Sequence, residues 1–375
     1  MSGGENLNVD SIFDTRSIEE IYEEIQKVYL SDNRPWIIGY SGGKDSTVAL
    51  QLIWYALAKL PSKKRQKLVY VISSNTLVES PILLERVSEM ISLINKTSIE
   101  HSLPFRAEHI TPKIGNTFWV NLIGRGYPAP TKNFRWCTDR MKIRPADDFI
   151  LEKVSKFGET ILILGVRSSE SVTRKQVMEL RKIKGTLLSK HSKYPQAYVY
   201  TPIESFSLDD VWTYLLQVKN PWGGNNRDLL AMYTGDKSGE CPLVVDKSTS
   251  SCGNSRFGCW TCTVVSRDVS MENLVEGGEE WMRPLIEIRN SLYKTTLPEN
   301  KDLFREKRSR SGYFRFKHDG SGKISHGPYK FEFSKQLLKS LLIAQKKLED
   351  QFPDKEFKII YDKELHEIRK LWITD

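Results

Sequence analysis

Apolar residues recur at helical spacing towards both ends of the chain. In the first segment, apolar side chains occupy every third or fourth position, and Ser17 and Glu20 form a capping box, which predicts a helix over 18–30. The same spacing returns at 281–292 and 334–351. The pattern therefore predicts helices at both ends of the chain.

Short apolar runs alternate with helical segments in the region between. Four runs have the length and character of buried strands: 36–40, 68–73, 160–166 and 198–202. Helical spacing follows the first two runs, over 46–60 and 81–94. Strands separated by helices of ten or more residues are typical of a parallel sheet covered on both faces. We therefore expect a doubly wound α/β fold with a mostly parallel sheet.

Shifts in composition divide the chain into four segments. We expect residues 1–16 to be disordered and residues 17–219 to form the α/β domain. Residues 220–270 combine glycine, serine and asparagine with four of the five cysteines, which predicts an insert held together by something other than an apolar core. Residues 271–375 are predicted to be mainly helical, and they include a basic, aromatic stretch at 305–317.

The chain is basic. Its 375 residues include 56 Lys and Arg against 47 Asp and Glu, a net charge of +9, which favours a polyanionic partner such as nucleic acid. Basic residues cluster at 63–67, 174–193 and 305–317. Aromatic side chains interleave the last cluster and suit stacking and phosphate contact. Each cluster taken singly also fits an ordinary solvated surface.

The apolar runs are far shorter than the roughly 20 residues that cross a bilayer. Residues 1–10 show no basic region followed by an apolar core, so no secretory signal is predicted. We therefore expect no membrane partner and a reducing cytoplasm, in which the five cysteines are thiols or metal ligands.

A glycine-rich loop lies where the first predicted strand gives way to a helix. Tyr40 precedes the run Ser41-Gly42-Gly43-Lys44-Asp45-Ser46, which matches neither G-x-x-x-x-G-K-[ST] nor G-x-G-x-x-G. The glycines allow the backbone to approach phosphates, Ser41 and Ser46 offer hydroxyls, and Lys44 offers charge. Asp45 can help to hold Mg²⁺. An unliganded glycine turn is the alternative interpretation of the loop.

A second polar segment follows the third predicted strand. Gly165 and Arg167 leave the strand end, and Glu170 and Arg174 follow along the chain. Because the carboxyl ends of parallel strands face one crevice, we expect Arg167, Glu170 and Arg174 to point into it, and the two arginines to bind phosphate. The two arginines could instead be surface charges.

The cysteines are clustered in sequence. Cys252, Cys259 and Cys262 lie in one short segment, with Cys241 upstream and Cys137 far earlier. Clustered thiols in a reducing compartment indicate zinc or an iron–sulfur cluster. Zinc held by Cys241, Cys252, Cys259 and Cys262 is one possibility, and buried thiols without a metal are another.

Several of these motifs resemble one enzyme group. The Ser41–Ser46 run resembles the PP-loop, S-G-G-x-D-S, of the ATP pyrophosphatase superfamily. The segment 165–174 resembles the G-x-R-x-x-E-S-x-x-R element of the phosphoadenosine phosphosulfate (PAPS) reductase branch, and 136–145 and 201–212 resemble two further elements of it. Departures are Asn75-Thr76-Leu77 in place of Asp-Thr-Gly, and the lack of a cysteine after Cys262.

Together with Gly253–Val265, which contains F-G-C-W-T-C, the motifs most resemble the DndC branch of PAPS-reductase-like proteins, which acts in bacterial DNA phosphorothioation. The resemblance implies an adenine nucleotide alpha hydrolase-like fold. It also implies ATP cleavage to AMP and pyrophosphate with Mg²⁺, and transfer of sulfur to a DNA backbone phosphate. The implied partners are DNA, a cysteine desulfurase as sulfur donor, and the Dnd proteins DndD and DndE.

The resemblance also assigns roles to residues. ATP would be bound by the loop and the second polar segment: Tyr40, Ser41, Gly42, Gly43, Lys44, Asp45, Ser46, Gly165, Arg167 and Glu170. Catalysis would fall to Asp45, Lys142, Arg167 and Arg174. A [4Fe–4S] cluster would be bound by Cys137, Cys252, Cys259 and Cys262, with zinc as the alternative metal.

Three other functions share some of these features. A sulfonucleotide (PAPS or APS) reductase would release sulfite without DNA. A PP-loop tRNA thiolase would place sulfur on a base. A DNA-binding scaffold would sense nucleotide without turning it over.

Overall fold

The computed structural model describes residues 11–170, 176, 179–234, 258–316 and 320–374. They form two compact units. The first unit comprises the described residues of Met1–Ser74, Glu85–Ile110 and Asp147–Lys247, and the second those of Asn75–Leu84, Thr111–Ala146 and Ser248–Asp375. This division differs from linear boundaries at 219 and 270. The reason is that 75–84 and 111–146 supply side chains to the apolar core of the C-terminal region.

The first unit is built on a six-stranded sheet. Its strands are β1 (Trp36–Gly39), β2 (Val69–Ser74), β3 (Phe105–Ile110), β4 (Thr160–Ile163), β5 (Ser189–Lys190) and β6 (Ala197–Tyr200). Their order is β3-β2-β1-β4-β6-β5, and every pair is parallel except β5 with β6. The chain moves outward from β1 to β3 and then returns to the other side of β1. The predicted doubly wound, mostly parallel sheet is confirmed.

Helices connect and flank these strands. They are α1 (Ile12–Thr15), α2 (Ile18–Leu30), α3 (Lys44–Ala58), α4 (Pro81–Glu100), α6 (Arg144–Phe157), α7 (Leu208–Gln217) and α8 (Asn226–Thr234), while α5 (Trp136–Thr138), between α4 and α6 in the chain, belongs to the second unit. The strands of the sheet centre are apolar on both faces; Trp36, Ile37 and Ile38 are at most 1% exposed. Helix α3 packs against α2 and α7.

The stretch expected to be disordered contains a helix at its end. Ser11 caps α1 by accepting a hydrogen bond from the Phe13 amide, and Asp14 completes a capping box. The Ser11 hydroxyl also donates to Asp210 in α7. A partner far along the chain, which local composition does not reveal, thus orders residues 11–15.

The second unit is mainly helical, as predicted for the C-terminal region. Its later helices are α9 (Val269–Glu276), α10 (Arg283–Lys294), α11 (Lys301–Phe304), α12 (Phe331–Gln351) and α13 (Asp362–Thr374). The core of this unit joins Phe118 and Trp119 to Leu285, Leu341 and Ile368, all at most 1% exposed. A π-helical turn, Val120–Gly124, supplies further buried side chains to it.

None of the helices that the structure describes combines the length and the apolar character that a membrane span requires.

Candidate functional site

The glycine-rich loop lies at the carboxyl end of β1, the strand at which the sheet order reverses. Strand β1 ends at Gly39 and α3 begins at Lys44. Its neighbour on the returning side is β4, after which Gly165 and Arg167 follow. In open α/β sheets, ligands bind in the crevice outside the strand ends at such a reversal. The fold of the first unit therefore brings the two predicted ATP-binding segments to one place.

The loop is held by its own hydroxyl groups. The Ser41 amide donates to Ser46 Oγ at 3.3 Å, and the Ser46 hydroxyl donates to the Gly43 carbonyl at 3.0 Å. Gly42 adopts a φ of +74°, and a Cβ there would lie 2.8 Å from the Val87 side chain. The backbone at Gly42 thus requires glycine, and the N-terminus of α3 lies directly after the loop, where a helix can bind an anion such as phosphate.

Asp45 links the two segments. Arg167 Nε donates to Asp45 Oδ1 at 2.6 Å, and Lys44 Nζ lies 3.2 Å from Asp45 Oδ2. Arg167 is 7% exposed and also lies 3.6 Å from Glu170. Asp45 and its two cationic partners form a largely buried network, so Lys44 and Arg167 are positioned without a ligand.

Gly165 allows this close approach. A Cβ at Gly165 would lie 2.7 Å from the Asp45 carbonyl oxygen and 2.9 Å from the Ser46 amide nitrogen. The strand end therefore packs directly on the backbone of the first turn of α3, and only glycine fits between them.

Asp45, the carboxylate expected to help hold Mg²⁺, is already paired with two cationic side chains. Both carboxylate oxygens of Asp45 lie within 3.2 Å of a cationic side chain, so Asp45 acts as the counter-ion of Arg167 and Lys44. Mg²⁺ is commonly bound through one or two carboxylates and the phosphates of the substrate. The loop is therefore better suited to a Mg²⁺ ion that arrives bound to the nucleotide than to one held by Asp45 alone.

Sequence reasoning missed a small cavity beside the loop. It has a volume of about 240 Å³ and is lined by Tyr40, Gly42 and Thr47 together with residues of α4 and α8. Arg86 contributes a cation to this wall, and Asn226 an amide. Tyr233, on α8, stacks its ring 5.1 Å from Lys44 Nζ. The apolar spacing of α4 could have placed Arg86 on its helix, but only the fold shows that this helix borders the loop.

Three of the predicted metal ligands lie in the second unit. Cys137 is in α5, while Cys259 and Cys262 are joined by a turn in which the Cys262 amide donates to the Cys259 carbonyl. Cys259 also pairs with Glu79 as an isolated β-bridge, and its sulfur lies 3.3 Å from the Thr76 hydroxyl. The segment that carries the Asn75-Thr76-Leu77 departure thus contacts the cysteine turn.

Burial and neighbouring charges shift the pKa values of these thiols and of Lys142. Burial raises the pKa of Cys137, and the Cys262 thiol raises it further. Burial, followed by the Glu79 carboxylate, raises the pKa of Cys259. Burial on its own lowers the pKa of Lys142, but attraction to Cys259 and Glu79 outweighs it and the pKa is raised. Lys142 Nζ lies 3.3 Å from Glu79 Oε1, so its observed partners are these groups of the second unit.

The predicted metal ligands lie only partly within the described residues. Within the described residues, no three His, Cys, Asp or Glu side chains are arranged to hold a metal ion. Cys252, the fourth predicted ligand, Cys241 and Arg174 lie outside the described residues. Cysteine thiolates near a cationic side chain are suitable ligands for a [4Fe–4S] cluster or for zinc. Because the described residues include only part of the predicted ligand set, that set stays a prediction.

The chain is similar in sequence to a known protein of Methanocaldococcus jannaschii. A protein of Methanocaldococcus jannaschii described as uncharacterised is 26% identical over 205 residues, 55% of this chain and 35% of that protein. The chain thus spans about a third of that relative's length.

Two solved structures are similar at low identity. The PAPS reductase of Candida auris in its phosphate complex is 14% identical, covers 67% of this chain and 98% of its own, and has a TM-score of 0.37. The U34-tRNA thiolase of Methanococcus maripaludis with its [4Fe–4S] cluster is 17% identical, covers 76% of this chain and 82% of its own, and has a TM-score of 0.34.

The family model for the phosphoadenosine phosphosulfate reductase domain matches residues 35–265, which include the loop, the Arg167 segment and the cysteine turn. Since that match spans more than half of the chain, the protein belongs to the phosphoadenosine phosphosulfate reductase domain family, whose PP-loop enzymes act on nucleotides.

Proposed function

We propose that the protein is the DndC-like component of DNA phosphorothioate modification, which uses ATP to activate a DNA backbone phosphate for sulfur transfer. The observation that carries the ATP-dependent step is the Asp45–Arg167 ion pair, which joins the phosphate loop to the segment after β4. The DNA substrate is supported by the sequence motifs and by the basic character of the chain.

The chemistry follows from the poor leaving ability of a phosphodiester oxygen. A non-bridging oxygen attacks the α-phosphorus of ATP, and pyrophosphate leaves with the electron pair of the broken P–O bond. The terminal sulfur of a persulfide formed by a cysteine desulfurase then attacks the DNA phosphorus, and AMP leaves with the activated oxygen. A second thiol attacks the inner, cysteine sulfur of the persulfide, which breaks the S–S bond, leaves the terminal sulfur on the DNA phosphate and forms a disulfide between the two thiols. The modified linkage carries sulfur in place of that oxygen.

The residues of the first unit suit the first step. The loop amides, Ser41 and Ser46 would bind the pyrophosphate portion, while Lys44 and Arg167 would stabilise the charge that develops on the phosphates. Asp45 keeps both cations in position before the nucleotide binds. Lys142 and Arg174 are proposed to add charge at the reacting phosphates.

The thiols are proposed to act in the second step. Cys137, Cys252, Cys259 and Cys262 would hold a [4Fe–4S] cluster, which would relay sulfur or brace the cysteine segment. DndD and DndE are the proposed partners within the modification complex.

Pyrophosphate release tests the first step. We expect the chain with ATP, Mg²⁺, DNA, the desulfurase and its Dnd partners to release pyrophosphate, and Ser41→Ala or Asp45→Ala to reduce the rate at least a hundredfold. Ser92→Ala, an exposed serine on α4 of the same unit, is the control and should keep the rate. Full activity of either loop variant would refute the role of the loop.

The location of the sulfur tests the substrate. Nuclease digestion and mass spectrometry should find sulfur in DNA linkages after reaction. The match to the PAPS reductase domain also favours a sulfonucleotide reductase, which would release sulfite from PAPS or APS without DNA. Sulfite release, or sulfur in tRNA nucleosides instead, would overturn the DNA assignment.

Metal analysis tests the cysteines. After anaerobic purification we expect about four irons and four sulfides per chain, with broad visible absorption that Cys259→Ser removes. One zinc per chain and no visible absorption would contradict the cluster and make the cysteine segment a zinc-bound structural element.

A further inference from the structure

A cleft in the second unit lies between the 126–134 segment and the basic stretch that begins at Arg305. Its volume is about 690 Å³, within the usual range of ligand-binding pockets. Neither the loop nor the cysteine turn contributes to its walls. It is therefore a separate feature of this unit.

The walls of the cleft are cationic. Lys301, Arg305, Arg310 and Arg315 line it, and no Asp or Glu is among the described residues of its walls. Asp302 is a nearby carboxylate, but it lies outside the lining and accepts a hydrogen bond from His326 at 2.9 Å. The Arg315 side chain makes no ion pair or hydrogen bond with any residue that the structure describes. Such a surface selects an anion.

The floor of the cleft is built from fixed backbone. The Tyr329 amide donates to the Gly126 carbonyl at 2.7 Å, and the Tyr329 hydroxyl accepts a hydrogen bond from the Ala129 amide at 2.9 Å. Arg305 Nε donates to the Gly327 carbonyl at 2.8 Å, which places in the floor a cation that pairs with no carboxylate among the described residues. A Cβ at Gly327 would lie 1.8 Å from the Arg308 carbonyl oxygen, so the two segments approach as closely as glycine allows.

An aromatic side chain stands at the rim. Phe134 is 46% exposed and is one of the residues that line the cleft. It lies in a tight turn closed by two reciprocal hydrogen bonds with Thr131, both 3.1 Å long. A fixed, exposed ring beside arginines is the combination on which unpaired bases stack while their phosphates are neutralised.

We propose that this cleft binds single-stranded DNA, with phosphates at Arg310 and Arg315 and one base stacked on Phe134. The inference rests on the proposed function, since it assigns the DNA-binding surface of the same protein. Single-stranded rather than duplex DNA is favoured because a base must leave its stack to reach the ring.

Fluorescence anisotropy with a labelled single strand of about 12 nucleotides, without ATP, tests the cleft. We expect Arg315→Gln to weaken binding roughly fivefold and to reduce the slope of log affinity against log salt by about 0.7. Phe134→Ala should weaken binding roughly tenfold and leave the salt slope unchanged. Arg369→Gln, an exposed arginine of the same unit outside the cleft, should leave affinity and slope unchanged.

Three outcomes would overturn the proposal: equal affinity of all the variants, tighter binding of the matching duplex, or displacement of the strand by inorganic phosphate or ATP. Both cleft side chains are exposed, and circular dichroism should show that the variants fold. Pyrophosphate release by the unmodified protein is measured in parallel. Its absence would refute the proposed function, whereas unchanged DNA binding by the variants would refute only the cleft.

Discussion

Gly165 shows how a single residue determines the geometry of the loop. The atoms that a Cβ would meet belong to the backbone of Asp45 and Ser46, so they cannot move aside as a flexible side chain could. We expect Gly165→Ala to cost about 1–3 kcal/mol of stability and to slow pyrophosphate release at least tenfold.

Thermal unfolding and a pyrophosphate assay measure both effects. Gly39→Ala is the matched control, because the nearest atom to its added Cβ is a side-chain carbon of Leu164 at 3.8 Å. Equal activity of the two variants would show that Gly165 is not needed for the loop.

Leu77 occupies a backbone conformation that suits glycine. Its φ is +65°, and its amide donates to Asn75 Oδ1 at 2.9 Å. The turn at Leu77 therefore uses the left-handed conformation that glycine adopts most readily. The left-handed conformation costs a residue with a Cβ about 1–2 kcal/mol.

We therefore expect Leu77→Gly to be more stable than Leu77→Ala by about 1 kcal/mol in chemical denaturation. At Leu30, in the last turn of α2, the order should reverse, because alanine is the better residue in a helix. Greater stability of the alanine variant at both positions would contradict strain at Leu77.

At the scale of elements, Asp210 ties α1 to α7. It is 2% exposed and accepts hydrogen bonds from the Ser11 hydroxyl at 2.5 Å and the Ser207 amide at 2.7 Å. Burial on its own raises the pKa of Asp210, but these hydrogen bonds outweigh it and lower the pKa overall. The folded protein therefore favours the charged form.

A lowered folded pKa means that Asp210 stabilises the protein above its unfolded pKa of about 3.9, and that this stabilisation disappears as the pH falls through the folded value. We expect Asp210→Asn to cost about 1–2 kcal/mol at pH 7. Melting curves from pH 7 to pH 3 should show the difference from the unmodified protein shrinking below about pH 4.

Asp209→Asn is the control for that series. Asp209 is exposed on the same helix turn, so its removal should change stability little at any of these pH values. A gap that stays constant down to pH 3 for Asp210→Asn would show that the Asp210 charge contributes nothing.

The sequence predicted the strands that are buried on both faces of the sheet, but it did not predict the edge strand β3. The runs at β1, β2, β4 and β6 are apolar and were predicted to within a few residues. Strand β3 was missed, because its Arg106 and Glu108 face solvent and its apolar run is broken. Pairing with β2 stabilises β3, and that partner is not visible in its own sequence.

At the scale of the whole molecule, the second unit is assembled from distant segments. The Trp119 indole donates to the Ile359 carbonyl at 2.7 Å, and the Trp372 indole donates to the Ile123 carbonyl at 3.2 Å. A chain ending at residue 270 would leave Phe118, Trp119 and Leu122 without the helices that bury them. We expect such a fragment to bind a hydrophobic dye strongly and to aggregate.

The Trp119→Phe variant of the full chain weakens the packing of this core without shortening the chain. It should remain soluble and lose about 2–3 kcal/mol in thermal unfolding, because it loses one hydrogen bond and the smaller ring leaves a cavity in the core. A soluble fragment that melts cooperatively would contradict the shared core and support a linear domain boundary.

The sequence by itself determined the local chemistry and the succession of elements. Ser41–Ser46, Gly165 and Arg167 could be recognised because a loop between strand and helix needs glycine and hydroxyl residues in a fixed order. The thiols of Cys259 and Cys262 could be grouped by spacing alone. Helical and strand periods follow from residues close in the chain, so a linear pattern contains them.

Only the tertiary structure decided which distant groups meet. The pairing of Asp45 with Arg167, the place of Arg86 beside the loop, and the contact of Thr76 with Cys259 join residues far apart in the chain. It also decided that 75–84 and 111–146 belong to the C-terminal core. The physical reason is that burial and ion pairing depend on three-dimensional neighbours, which no periodicity records.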